Sequence, residues 1–249
     1  MKDIKEPINL KEGAILYFDK PLTWSSFDLV NKFRYQASRH LGVKKLKVGH
    51  AGTLDPLATG VMILCTGKCT KRIDELQTGT KEYIAVIRLG ATTPTFDLES
   101  EPDAIYPYEH ITREQVIQIL TKKFIGRIEQ VPPAYSACKV NGHRAYDLAR
   151  AGKEVKLKSR ELVIDDIELL DFALPEITIR VVCSKGTYIR ALARDIGEAL
   201  GSGGHLASLR RTRVGDALID NCIKVEDIEL FLANYVPLDD ISITSQTDK

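Results

Sequence analysis

Residues 49–60 read Gly49-His50-Ala51-Gly52-Thr53-Leu54-Asp55-Pro56-Leu57-Ala58-Thr59-Gly60. The flanking stretches, Lys47 to His50 and Val61 to Cys65, have strand character, so the segment from Ala51 to Thr59 reads as a loop joining two strands. Three glycines in so short a span permit backbone conformations closed to other residues, and Pro56 pushes Asp55 out of the helical region into an extended geometry. The expected product is a carboxylate held rigidly at a loop tip. On these residues alone a plainer reading stays open, a glycine turn in which Asp55 bonds its own backbone.

Working outward, a first strand is expected at Gly13 to Phe18 and, after Lys20-Pro21, a helix from about Ser26 to Leu41. Ser25 or Ser26 can cap that helix and Gly42 can end it. Downstream, Ile- and Val-rich strands are expected at Glu82 to Leu89, Ile125 to Val131, Leu162 to Asp171 and Ile177 to Cys183. A helix near Arg113 to Lys123 puts Val116, Ile117 and Leu120 on one face. Another, from about Thr187 to Leu200, sets Ile189, Leu192, Ala193, Ile196 and Leu200 at helical spacing. Strands that mostly run consecutively, with helices at irregular intervals, point to an α+β fold rather than a doubly wound parallel sheet.

The chain has 249 residues and 44% hydrophobic residues, enough for a sizeable core. No apolar run is long enough to span a bilayer, and the first residues carry charge where a signal peptide would be apolar, so a cytoplasmic address is expected. Five scattered cysteines fit free thiols in a reducing compartment. Cys65 and Cys69 lack the second pair that a zinc site needs, so no metal is expected. The net charge of +1 conceals segregation. Six cations and no acids lie between Lys32 and Lys47, seven cations against Asp147 and Glu154 lie from Lys139 to Arg160, and Arg210, Arg211 and Arg213 form a third cluster. Such clustering suits a surface that faces phosphates, although solvated helix faces would look alike. The stretch from Pro132 to Lys158, with Asn141-Gly142 as a turn signal and the short helix-like run RAYDLAR, reads as a protruding basic insertion able to order on a polyanion.

The loop at residues 49–60 resembles the signature of the TruB-type tRNA pseudouridine synthases, whose aspartate at the place of Asp55 is essential. The resemblance runs in order from about Gly13 to Gly215. AILYFDKPLTWSS resembles the family's first motif, with Lys20 in the matching position and Thr23 where a glycine is usual. LQTGTKEYIAVIRLG matches Tyr83 to the tyrosine that stacks on the target base. ATTPTFD matches Thr92 and Asp97 but has Pro94 where an Asp is usual. CSKGTYIRALARDIGEALG matches Tyr188 and Arg190, and GGHLASLRRTRVG matches the segment that brings Leu209 beneath the pocket.

The resemblance implies a pseudouridine synthase fold, an α+β architecture with a mixed, mainly antiparallel sheet, forming one catalytic domain over 1–249. Its core would run from about 13 to 215, with the basic insertion at about 132–158 acting as a thumb. Residues 216–249 would supply a short helix near Val225 to Leu232 and a tail, without a full C-terminal RNA-binding domain. The implied reaction is isomerisation of uridine to pseudouridine at position 55 in the T-loop of tRNA, with no cofactor, no guide RNA, and a monomeric enzyme. Asp55 would either attack ribose C1′ or take a proton from C2′, and these residues do not choose between the two. Arg190 would pair with Asp55 and keep it ionised. Tyr83 would stack on the extruded base, Tyr188 would assist at the C5 proton, and His50 would contact or help extrude the RNA.

Other readings fail on spacing. Gly60 to Lys68 superficially resembles a phosphate-binding loop, but Cys69 stands where Ser or Thr would bind magnesium. Residues 201–204 follow a helix rather than a strand, against the dinucleotide pattern. A glycosidase needs a second carboxylate in partnership, and none sits in a comparable motif.

Overall fold

The structure, a computed structural model, describes residues 7–136, 138–140, 143–151 and 157–237. In chain order the elements are β1 (Ile15–Lys20), α1 (Ser26–His40), β2 (Val48–Ala51), β3 (Ala58–Thr66), α2 (Ile73–Leu76), β4 (Lys81–Leu89), β5 (Ala91–Thr92), β6 (Ala104–Ile105), α3 (Arg113–Lys123) and β7 (Gly126–Gln130). Then follow β8 (Lys139–Val140), β9 (His143–Arg144), α4 (Ala145–Arg150), β10 (Arg160–Ala173), β11 (Glu176–Cys183), α5 (Ile189–Ala199), β12 (Gly204–Val214), β13 (Ala217–Leu218), β14 (Ile223–Lys224) and α6 (Ile228–Tyr235). The strands pair mostly antiparallel, in agreement with the α+β expectation. Among the described residues no helix is long and apolar enough to cross a membrane.

The chain divides into two compact units. The first comprises Met1–Pro56, Gly60–Gln77 and Ala217–Lys249. In it β1 lies between β14, parallel, and β3, antiparallel, and β2 pairs with β3 on the other side. The alternating residues Leu16 and Phe18 of β1 are buried with Leu29, Val30 and Phe33 of α1, and the rings of Phe18 and Phe33 meet at 5.0 Å. Ser25 begins α1 with a capping box. Its hydroxyl accepts from the Asp28 amide, and the Asp28 carboxylate accepts from the Ser25 amide at 2.8 Å. At the other end Gly42 takes a φ of 63°, the left-handed geometry that halts a helix. His40 and Gln36 of α1 reach α6 and its end, through the Val236 carbonyl and the Glu229 carboxylate.

The second unit comprises Leu57–Thr59 and Thr78–Asp216. Its sheet has the order β12-β4-β11-β10-β7, every neighbour antiparallel. The helix α5 lies against β12, and α3 against β10. Thr112 caps α3 through a capping box with Gln115. Val116 and Leu120 face inward as the spacing requires, but Ile117 is 42% exposed, so the buried stripe is narrower than expected. Close packing of α5 depends on glycine. A Cβ at Gly197 would come within 2.3 Å of the backbone of Gly203 and Gly204.

Two strand-level readings change. The segment 204–214, identified from sequence only as a motif, is the eleven-residue strand β12. Its pairing with β4 shifts register between Leu206 and Ser208 and again between Arg211 and Arg213, which breaks the period-two pattern by which strands are recognised. The basic insertion is better anchored than its composition suggests. Pro132, Pro133, Ser136, Cys138 and Ala145 are buried, and the amides of Ala145 and Tyr146 bond the carbonyls of Cys138 and Ser136. The strands β8 and β9 pair as the hairpin that Asn141-Gly142 signals, and those two residues themselves lie outside the described residues.

Candidate active site

In the first unit the loop carrying Asp55 leaves β2 and runs through residues 52–57 in no regular conformation. Asp55 is partly exposed between buried Leu54 and half-buried Pro56. Gly52 and Gly60 take positive φ values of 93° and 107°, as a tight loop demands. Gly49 has a different reason to be glycine. Its φ is not positive, but a Cβ there would lie 2.7 Å from Ile73 Cδ1, so the residue admits the side chain of α2.

The segment between β1 and α1 grips this loop on both sides of Asp55. The Ser26 hydroxyl donates to the Leu54 carbonyl at 2.9 Å and accepts from the Leu54 amide at 2.8 Å. The Thr23 amide donates to the Pro56 carbonyl at 2.9 Å. Thr23 has a φ of 69°, the left-handed conformation that a glycine would adopt without cost, so the turn keeps that geometry with a β-branched residue in place. Lys20 is fully buried, and its ammonium donates to the carbonyls of Pro21 at 3.0 Å and Trp24 at 2.6 Å. Its charge therefore braces the gripping segment from within. His50 is half-buried on β2, opposite Leu64 of β3.

In the second unit Tyr83, Tyr188, Arg190 and Leu209 are arranged around β4 and the start of α5. Tyr83 is 8% exposed on β4, opposite Val181 of β11 and Arg211 of β12. Leu209, half-buried, stands opposite Ala85, two residues along β4 from Tyr83 and so on the same face. The Thr59 hydroxyl donates to the Leu209 carbonyl at 3.4 Å. Beyond Val181, β11 ends and the chain enters α5, whose N-cap position is Tyr188. The Tyr188 amide donates to Gln130 Oε1 at 2.9 Å, and its hydroxyl lies 3.2 Å from Cys138 Sγ. Burial, reinforced by Cys138, pushes the Tyr188 phenol up to about 12. At neutral pH Tyr188 is therefore a protonated phenol.

Arg190 is 6% exposed. Its guanidinium meets the Asp97 carboxylate at 3.5 Å and donates to the carbonyls of Thr95 at 3.1 Å and Tyr135 at 3.0 Å. Arg194, one turn on, donates to the Val131 carbonyl and covers the Phe96 ring at 4.6 Å. Neither arginine belongs to a solvated helix face. Together they hold the loop of residues 93–97, where Phe96 also has a positive φ of 62°, and the root of the basic insertion. Sequence reasoning did not single out Ser26, Gln130 or Cys138 for the site. A serine at the head of a helix reads as a cap, and Ser25 takes that duty, leaving Ser26 for the loop.

The architecture and the carboxylate loop define a class, the α+β pseudouridine synthase fold. A structure of a Cbf5–Nop10–Gar1 complex shares the fold with a TM-score of 0.65 and 27% identity over 90% of this chain. This chain spans 56% of that one. Residues 38–189 match the model of the TruB family pseudouridylate synthase N-terminal domain, and residues 190–240 match the tRNA pseudouridylate synthase B C-terminal domain. The chain is 69% identical over 225 residues to tRNA pseudouridine synthase B of Phocaeicola vulgatus, covering 90% of this chain and 95% of that protein. It is 53% identical over 226 residues to the protein of the same name in Flavobacterium johnsoniae, covering 90% of this chain and 97% of that one. The chain belongs to the TruB family of pseudouridylate synthases.

Proposed function

We propose that the chain isomerises uridine to pseudouridine at position 55 in the T-loop of tRNA, with Asp55 as the catalytic carboxylate and no cofactor. The observation that carries this reading is the placement of Asp55. It is a partly exposed carboxylate in a loop fixed through the backbone of both its neighbours, within a chain of this family. The reaction breaks the bond from ribose C1′ to uracil N1, turns the base, joins C1′ to C5 and transfers the C5 proton. The product has the atoms of the substrate. An ionised carboxylate is required whether it adds to C1′ or removes the C2′ proton. Arg190, whose other contacts fix its plane, is proposed as the cation facing that carboxylate, and Tyr83 as the aromatic surface against the flipped base. The neutral phenol of Tyr188 fits a donor or acceptor at the base better than a proton sink. The partner is bare tRNA without guide RNA, the enzyme works as a monomer in the cytoplasm, and the basic insertion at 132–158 supplies phosphate contacts.

The test is conversion of uridine in an unmodified tRNA transcript by wild type and Asp55→Asn, with RNA affinity measured in parallel. Conversion at the T-loop uridine by wild type, a loss of about 10³-fold or more in the variant, and affinity within severalfold are expected. Conversion by Asp55→Asn near the wild-type rate would remove Asp55 from the chemistry. A requirement for an added guide RNA would overturn the reading of bare tRNA as the substrate.

A further inference from the structure

We propose that Ser26 is a positioning residue for catalysis, setting the aim of Asp55 through the backbone of Leu54. This rests on the reading of Asp55 as the catalytic carboxylate. In an extended residue the amide and carbonyl point the same way, which is how one strand residue bonds both groups of its partner. The Ser26 hydroxyl occupies the place of that partner. It donates to the Leu54 carbonyl at 2.9 Å and accepts from the Leu54 amide at 2.8 Å, across 28 positions of sequence. Ser26 and Leu54 are each 4% exposed, so water does not substitute freely for either bond.

The consequence falls on the next residue. Fixing both polar groups of Leu54 fixes the two peptide planes on either side of it, and the second of those planes carries the Asp55 nitrogen. On the far side, Pro56 is held through its carbonyl by Thr23. Asp55 therefore follows directly on an anchored peptide plane, with a second anchored plane, the one beyond Pro56, a residue further on, and its Cα–Cβ direction is inherited mainly from the first. Ser26 is the first residue of α1, a helix capped independently by Ser25, so the anchor is a rigid element rather than another loop. Adjacent serines thus have separable duties, one closing the helix and one holding the catalytic loop.

The experiment compares Ser26→Ala, Ser26→Thr and Ser25→Ala with wild type. Single-turnover conversion of a tRNA transcript, tRNA affinity, and amide hydrogen exchange at Leu54 are measured for each. Because a displacement of about 1 Å in a reacting group can cost about 10²-fold in rate, Ser26→Ala should convert tRNA about 10- to 100-fold more slowly. Its tRNA affinity should stay within about twofold, and exchange at Leu54 should be at least about tenfold faster, as expected for a buried amide that has lost its partner. Ser26→Thr, which keeps the hydroxyl, should recover most of the rate. Ser25→Ala weakens the cap of the same helix and should leave both the rate and the Leu54 exchange near wild type. Unchanged Leu54 exchange in Ser26→Ala overturns the anchor whatever the activity shows. A wild-type rate in Ser26→Ala, or an equal loss in Ser25→Ala, overturns its link to catalysis. Failure of the wild type to convert tRNA would instead strike the functional reading, while the exchange measurement would still decide the anchor.

Discussion

Replacing Thr23 by glycine should make this protein more stable, against the usual direction for a mutation to glycine. Thr23 sits at a φ of 69°, where an L-residue with a Cβ pays about 1–2 kcal/mol. Glycine avoids that penalty but brings about 0.5–1 kcal/mol of additional unfolded-state entropy. The difference is a net gain of about 0.5–1 kcal/mol. The Thr23 side chain is exposed, and the contact that matters, the amide bonded to the Pro56 carbonyl at 2.9 Å, survives the change. For a chain of this size about 1 kcal/mol moves a melting temperature by about 2–4 °C, so Thr23→Gly should raise it by about 1–4 °C. Thr23→Ala removes the same polar atoms but keeps the Cβ, and should melt close to wild type. Thermal unfolding of the three proteins under one buffer decides the matter. A lower melting temperature for Thr23→Gly, or an equal gain for Thr23→Ala, would refute the strain argument.

The remaining predictions concern the second unit. Gly197→Ala puts a Cβ 2.3 Å from the backbone of Gly203 and Gly204, where no flexible side chain can yield, and should cost about 3 kcal/mol or more in denaturant unfolding. A loss below about 0.5 kcal/mol would contradict that packing. Lys81, buried and near Arg211, has its pKa lowered from 10.5 to about 8. The unfolded chain then binds more protons from about pH 8 to 10.5, so this residue's contribution to stability rises with pH over that window. Above about pH 9 the buried Cys183 thiol, pushed up to about 11, acts in the opposite sense. Lys81 should therefore be most visible between pH 8 and 9, where the stability of the wild type relative to Lys81→Met rises with pH. Denaturant midpoints at pH 7, 8 and 9 should show it, and a flat difference would exclude the titration.

What could be read in advance followed from physical regularity. The strands β1, β4, β10 and β11 alternate or carry branched apolar side chains, and α1 and α3 announce themselves by caps and periodicity. The strand β12 escaped because it carries Arg210, Arg211 and Arg213 and contains two register shifts, so neither composition nor period marks it. Arg211 is only 2% exposed, a placement no local pattern foretells. The carboxylate loop was legible because glycine and proline constrain the backbone locally. Its anchor was not, since the bond from Ser26 to Leu54 joins residues 28 apart and a hydroxyl carries no signal of its partner. Gly49 shows the same limit. Its smallness serves Ile73, a neighbour only the fold supplies.

The glycine contact at Gly197 also gives α5 the mechanics of a lever. Seven residues separate Gly197 from Arg190, about 10 Å of helix at 1.5 Å per residue. With one end seated on bare backbone at Gly203 and Gly204, a sideways shift of about 1 Å there would swing the axis by about 6°. The far end carries Tyr188 and Arg190. A lesion at the seat would be felt as an angular error at these side chains, so variants around 197–204 are places to look for proteins that bind RNA normally and turn over slowly.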